Sequence, residues 1–521
     1  MEIETEVLIC GAGAAGLTLA IELARRGVAF QLVEKLPQPF HGSRGKGIQP
    51  RSQEIFEYMG IVDRLFAAGG LYPVSRTHHA DGSHTDAAMV EALAPTPAEP
   101  YVQPLMVPQF LTEAVMRERQ AELGHHVAFG HELLAFKQDT DGVTARIATP
   151  GGEMGVRARY LIGADGGRSV VRQSLGIEFP GETLEVRAVV ADVVLTGLER
   201  DAWHQFNETS SKTRLSLCPL MGTDLFQVQA PVPLEGEIDL SAGGLAALVR
   251  ERSGREDIQV HSVSWASAYQ MNARLADRYR EGRVFLVGDA AHIHPPTGGQ
   301  GLNTSMQDAY NLGWKLAAVI AGAPASLLDS YEEERRPIAA SMLGLSKRLL
   351  DNAKRGDNRR GREVQQLDLG YRGSSLCLGT EYRPGRIVAG DRAPDARLRG
   401  AGGQVRRLFE VFSGTHWTLI GYHADRAAAP VRAGLHVHVI GPDAELRDVD
   451  GDVASAYGLE TGEWVLVRPD GYVAAVVTQN ALARLDAYAA LFPSGIATPA
   501  TRATGAEPPG RPPLPRRRGA A

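Results

Sequence analysis

Cysteine is scarce in this chain: Cys10, Cys218 and Cys377 are the only three among 521 residues. They are too few for a disulfide framework and their spacing suits no metal, so a reducing, cytoplasmic setting is expected. Neither sign of charge dominates. Fifty-five basic and 61 acidic residues leave a net −6, which gives no support to a nucleic-acid-binding role. No apolar run approaches the roughly 20 residues needed to span a bilayer, so no membrane association is expected. The amino-terminal MEIETE is acidic where a secretory signal would be basic. What these absences leave is an enzyme-sized chain, long enough for roughly three domains.

Glycine, by contrast, is plentiful, with 58 residues. The most informative run is Val284–Leu316. Val284-Phe-Leu-Val287 reads as a buried strand, Gly288-Asp289 ends it, and a loop of Pro295, Pro296, Gly298, Gly299 and Gly301 leads into a helix expected near Leu302 or Asn303. Glycines let backbone amides approach a flat ligand without an intervening Cβ. A helix start adds unpaired N–H groups and partial positive charge. A carboxylate at the strand end and amides at the helix start suit a cofactor with hydroxyls at one end and delocalised negative charge at the other. Reduced flavin has that shape.

A second site points the same way. The strand Val7–Cys10 precedes Gly11-Ala-Gly13-Ala-Ala15-Gly16 and a helical stretch, and a second strand, Ala29–Val33, ends in Glu34. This is the dinucleotide fingerprint in its required setting. Gly11 makes the tight turn, Gly13 admits the pyrophosphate, Gly16 lets helix and strand close up, and Glu34 falls where an acid meets the adenosine ribose. Ala15 and Lys35 complete the expected contact set. A third strand–turn–helix run, Gly163-Ala-Asp165-Gly166-Gly167-Arg168-Ser169-Val-Val-Arg172, lies between the other two.

Along the chain, helices are expected near 51–67 and 108–124, and residues 71–101 read as irregular. The close histidines His78, His79 and His84 match no metal-ligand spacing. Alternating segments such as Leu215–Leu220 and Leu225–Ala230 suggest an antiparallel sheet. The resulting division is 1–71, 102–180 and 278–365 for a cofactor-binding domain, and 72–101 and 181–277 for a β-sheet substrate domain. A third unit is expected at 384–492 and a disordered Pro/Arg-rich tail at 493–521.

With the three motifs placed, the chain resembles the single-component FAD-dependent aromatic hydroxylases of the p-hydroxybenzoate hydroxylase fold. Among them it is most similar to actinobacterial polyketide and antibiotic hydroxylases. The resemblance spans about residues 4–490. It implies an α/β fold of mixed character: a Rossmann-like FAD-binding domain interleaved with an antiparallel substrate sheet, plus a C-terminal thioredoxin-like domain. That last domain lacks any Cys-x-x-Cys, so no redox chemistry is expected of it.

The resemblance also implies residue roles. Arg44 and Gln109 match positions at the FAD phosphates or linker, Asp289 the ribitol ligand, and Gly299, Gly301, Leu302 and Asn303 the loop under the ring. Pro295, Pro296 and Gly298 match the segment beside the reactive flavin edge, with no acid or base identified. Asp165 matches a motif serving FAD and a transient pyridine nucleotide. The implied activity is NAD(P)H- and O₂-dependent hydroxylation of a phenolic or polycyclic aromatic through a C4a-hydroperoxyflavin, by a monomer or homodimer. A Baeyer–Villiger oxygenase and a non-catalytic flavoprotein that binds an aromatic ligand remain alternatives at this point. The Trp-x-Trp-x-Ile-Pro run of flavin halogenases is missing. Tyr72, His204, Gln227 and Tyr269 are pocket candidates by location alone.

Overall fold

The computed structural model describes residues 2–491 apart from 92, 209, 211, 356–359 and 380–382; the expected disordered tail lies outside these. Its first sheet is built on five parallel strands, Ala128–Phe129 lying outermost beside Phe30–Glu34. Glu2–Cys10 lies between Phe30–Glu34 and Gly152–Gly163, and Val284–Leu286 follows on the far side of the latter. Both faces are covered, which is why Val7, Leu8 and Ile9 form a continuous apolar run with no exposure. The register sets Cys10 beside Gly163 and Val33, and Gly163 beside Leu286. Gly11, Glu34, Asp165 and Asp289 therefore leave the sheet side by side, at the carboxyl edge where open α/β sheets bind ligands.

The helix Ala14–Ala24 packs against Gly301–Ile320. They pack tightly at Gly313, where a Cβ would lie 2.7 Å from that of Glu22. The expected helix at 51–67 is two helices, Pro50–Tyr58 and Val62–Ala68, because Gly60 takes φ +75° between them.

The second sheet runs His292–Ile293, Gln259–Leu275, Gly181–Thr196, Phe226–Val232, Leu215–Pro219, Ala202–Phe206, Val74–His78, His84–Ala87. Residues 71–101 are thus less irregular than the sequence suggests. They hold a hairpin turned at Gly82 (φ +84°), docked in parallel on Ala202–Phe206. The hairpin has no apolar alternation of its own, and a neighbour far along the chain supplies its pairing.

One face of this sheet packs Val189, Ala191, Leu217 and Val228 under the helix Ala242–Ser253. Strand alternation turns Asp192, Gln227, Cys218 and Trp203 to the other face, toward the first sheet's edge.

The third unit centres on Trp417–Tyr422, parallel to Leu435–Ile440 and antiparallel to Glu463–Val467, which pairs with Val473–Thr478. A buried charged seam fastens it to the first unit. Arg468 donates to both oxygens of Glu334 (2.6 and 2.9 Å), Lys315 donates to Glu334 (2.7 Å), and Trp314 donates to Asp470 (3.0 Å). Burial lowers Lys315 to about 8 despite that carboxylate. Among the described residues no helix is long and apolar enough to cross a membrane.

Candidate active site

The four strand ends form one groove floor. Gly11 holds φ +109°, and a Cβ there would strike the Ala164 carbonyl oxygen at 2.2 Å. Gly16 presses on the Gly11 carbonyl oxygen, 1.9 Å from where its own Cβ would be. Gly13 differs: the nearest atom to a Cβ is Glu113 Oε1 at 3.9 Å, so its missing side chain leaves a slot.

Glu34 closes one end of the groove. Its carboxylate accepts from Ala12 N (2.9 Å) and Leu36 N (3.0 Å), while Lys35 is exposed beside it. Buried Ala15 lines the start of the helix. Glu113 lies against that helix start, and burial raises its carboxyl to about 7.

Gln109 fastens the neighbouring loop, its Oε1 accepting from Gly45 N at 3.1 Å. Arg44 is exposed, its guanidinium 4.9 Å from the Phe40 ring and 5.8 Å from the Trp265 ring.

At the middle strand end, Asp165 Oδ2 accepts from Val171 N (3.1 Å), and Oδ1 is buried without a partner among the described residues. Arg172 donates to Ala290 O (2.8 Å) and so braces the residue after Asp289. Asp289 is accessible from the groove yet surrounded by protein. That desolvation raises its carboxyl above the ordinary range, with His292 and Arg44 opposing the shift.

The loop beyond contains buried Pro295 and exposed Pro296, then Gly298 (φ +82°) and Gly299 (φ +65°). A Cβ on Gly301 would meet nothing within 4 Å, and Leu302 sits against Gly45. The helix Gly301–Ile320 begins here, its first N–H groups facing open space, a favourable setting for negative charge worth about 0.3–2 kcal/mol.

Asn303 is a fastener. Its Oδ1 accepts from Gln49 N (2.8 Å), and Nδ2 donates to Gly47 O (2.9 Å) and Gly299 O (2.7 Å). Beneath the loop, Asp308 accepts from His292 Nε2 (2.6 Å) and Arg335 Nε (2.8 Å).

The segment Ser43–Gln49 joins this loop to the polar sheet face. Gln49 Nε2 donates to Gly298 O (3.1 Å) at one end. At the other, Ser43 N donates to Asp192 (2.8 Å), and Lys46 Nζ donates to Gln227 Oε1 (2.6 Å). Tyr72 touches Gly47, and Tyr269, pushed up to about 12 by burial, shares the face with Asp192. His204 does not belong here. It faces the opposite side with Leu217 and Phe206, where His78 Nε2 meets its Nδ1 at 2.9 Å. Sequence reading named Gln227, took the glycines and cations of Gly42–Gln49 for a loop beside phosphates, and missed Asp192; Ser43 and Lys46 are instead held by partners about 150 to 180 residues away.

The residues present fit FAD: a slot at Gly13, an unpaired buried oxygen on Asp165, a groove carboxylate at Asp289 and an open helix start. Fold and site together define a flavoprotein. Comparison with known proteins agrees. Residues 4–346 match the FAD binding domain family, and residues 387–492 match the aromatic-ring hydroxylase C-terminal family. A flavin-dependent monooxygenase of Mycobacteroides abscessus is 42% identical over 91% of this chain and 97% of its own length. Aklavinone 12-hydroxylase of Streptomyces purpurascens is 33% identical over 90% and 95%. The solved ternary complex of aklavinone-11 hydroxylase with FAD and aklavinone superposes with a TM-score of 0.80 at 29% identity, covering 93% of this chain and 98% of that one.

The chain belongs to the FAD-dependent aromatic-ring hydroxylases. It is a flavin-dependent monooxygenase that binds FAD and acts on an aromatic small molecule.

Proposed function

We propose that this enzyme hydroxylates an acidic, polycyclic aromatic at the expense of NAD(P)H and O₂, yielding the hydroxylated ring, oxidised pyridine nucleotide and water. Gly11, Gly13, Ala15 and Gly16 take the FAD pyrophosphate. Glu34 and Lys35 serve the adenosine end, and Arg44 and Gln109 the phosphates and linker. Asp165 and Asp289 meet the ribose and ribitol side. Gly299, Gly301, Leu302 and Asn303 shape the bed of the ring, and Pro295, Pro296 and Gly298 border its reactive edge. Bound FAD supplies reduction of O₂ and delivery of one oxygen atom. The chain's own task is to orient the aromatic ring, favour its ionised form and exclude water.

The observation that carries this reading is the bridge Ser43–Gln49, which ties the loop at Gly298 to the polar inner face of the second sheet. A ligand on that face lies beside the loop. Relatives hydroxylate aklavinone and anhydrotetracycline, and their names support a polycyclic substrate here. Three free thiols, two of them buried, support a cytoplasmic setting, and we infer a monomer or homodimer.

The test is a screen of NADPH oxidation by FAD-loaded protein against phenols, naphthoquinones and polycyclic polyketides, under isotopically labelled O₂. Substrate should accelerate oxidation and one labelled atom should enter a new hydroxyl. A lactone product would favour the Baeyer–Villiger course instead. Label taken from water would overturn the monooxygenase reading.

A further inference from the structure

The inner face of the second sheet buries a positive charge without a carboxylate to hold it. Lys46 is 8% exposed, and its ammonium meets the Gln227 amide at 2.6 Å and lies 4.1 Å from the Trp203 ring centroid. No salt bridge to it is found among the described residues. Asp192 is near enough to act on Lys46 through space, but its oxygens already accept from Ser43 N and Ser43 Oγ. Arg360 adds further positive potential at the same place. The remaining ionisable neighbours, Cys218 and Tyr72, are kept neutral by burial, which raises both.

A ring face, an amide and the neutral Cys218 thiol, which also lies within hydrogen-bond reach, are weak compensation for removing an ammonium from water. Burial accordingly lowers Lys46 from its usual range.

A second, independent atom on the same face also lacks a partner. Gln205 is 3% exposed, and its Oε1 is buried with no hydrogen bond among the described residues. The register places Gln205 beside Ser216, and Ser216 beside Gln229, whose amide donates to Gln227. An unmet cation and an unmet acceptor thus share one side of the sheet. Lys46 itself is three residues from Gln49, which holds the loop at Gly298.

We propose that Lys46 is the anchor for an ionised hydroxyl of the substrate, the oxygen of an acidic phenol or enol, with Gln205 accepting a hydrogen bond from a second hydroxyl of the same ligand. This rests on the reading that the inner sheet face binds the aromatic substrate. Where Nζ is unprotonated, the ligand O–H bond breaks and an N–H bond forms, leaving an ammonium–oxyanion pair with no electron transferred. An aromatic oxyanion enriches the ring carbons ortho and para to it, so Lys46 also selects which carbon faces the incoming oxygen. A merely structural lysine would hold the sheet to the Ser43–Gln49 segment and have no influence on ligand ionisation.

The test uses FAD-loaded wild type, Lys46→Met and Lys46→Arg, with alizarin as an ionisable probe and unsubstituted anthraquinone as the control that cannot ionise. Alizarin's visible spectrum reports its ionisation while bound, without NADPH or turnover. Wild type should lower the apparent pH of alizarin ionisation. Lys46→Met should abolish that shift and weaken alizarin binding about tenfold or more, the loss of one charge-assisted hydrogen bond. Anthraquinone affinity and FAD content should stay unchanged, and Lys46→Arg should restore the shift. No ionisation shift in wild type would overturn the proposal, as would a shift that survives in Lys46→Met. Equal losses for alizarin and anthraquinone would assign Lys46 a structural role. The turnover screen described above is separate, so failure of hydroxylation and failure of the anchor give different results.

Discussion

Two glycines three residues apart in one motif should fail in opposite ways when replaced by alanine. At Gly16 the new Cβ would sit 1.9 Å from the Gly11 carbonyl oxygen, a backbone atom that cannot swing aside. Helix and strand must separate, and overpacking of this kind costs about 1–3 kcal/mol or more. At Gly13 the backbone has φ −74° and the nearest atom is 3.9 Å away, so alanine fits the protein. Gly13 is also the helix N-cap, where alanine is the poorer residue, and about 1 kcal/mol bounds that penalty. The same Cβ occupies the slot where the pyrophosphate approaches. Losing one charge-assisted hydrogen bond there weakens FAD by roughly 10- to 150-fold. Urea unfolding of FAD-stripped protein and FAD titration by fluorescence quenching separate the two. Gly16→Ala should lower the unfolding midpoint without FAD, by about 1 M for a slope near 2 kcal/mol/M. Gly13→Ala should keep a near-normal midpoint and lose FAD. Equal destabilisation of the two apoproteins, or wild-type FAD affinity in Gly13→Ala, would refute the reasoning.

Asp289→Ala should weaken FAD by a similar factor, through loss of a hydrogen bond of about 1.5–3 kcal/mol to a hydroxyl, read by the same titration. Glu113, raised to about 7 by burial, is mostly protonated in the folded apoprotein only below that pH. A raised folded pKa contributes stability fully present below the unfolded value near 4.5 and lost as pH climbs through 7, roughly 3 kcal/mol over that window. Glu113→Gln should flatten that part of the stability–pH curve, and an unchanged slope would count against the assignment. Arg468→Met leaves Asp470 buried without its cation and Glu334 with Lys315 alone, so it should cost about 3–5 kcal/mol. Calorimetry would show this as a lower Tm, and a Tm within error of wild type would contradict it.

The glycine-rich strand ends are more legible in the sequence than the polar face of the second sheet, for physical reasons. Val7–Cys10 and Val284–Leu286 are parallel strands buried on both faces, so their apolar runs are visible without a partner. The glycines are visible because Gly11, Gly298 and Gly299 hold left-handed backbone. Lys46 reads as a cation of a loop beside phosphates, and only Trp203 and Gln227, from distant strands, show it buried on the sheet face. His204 falls on the wrong side through parity alone, since one residue of offset exchanges the two faces of a strand. Asp308 reads as one polar residue on an amphipathic helix. Its pairing with His292 and Arg335 depends on two other elements arriving at the same point.

The seam at Glu334, Arg468, Lys315 and Asp470 bears on how such enzymes can be recombined. A chimera that exchanges the C-terminal unit at the connection before residue 384 would separate Arg468 and Asp470 from Glu334 and Lys315, which stay with the other parent. Each half would keep one ion pair, Lys315–Glu334 or Arg468–Asp470, but lose the buried hydrogen bonds from Arg468 to Glu334 and from Trp314 to Asp470. The interchangeable piece is therefore defined by where those four residues sit, and grafting this unit onto a relative requires carrying Lys315, Trp314 and Glu334 along with it.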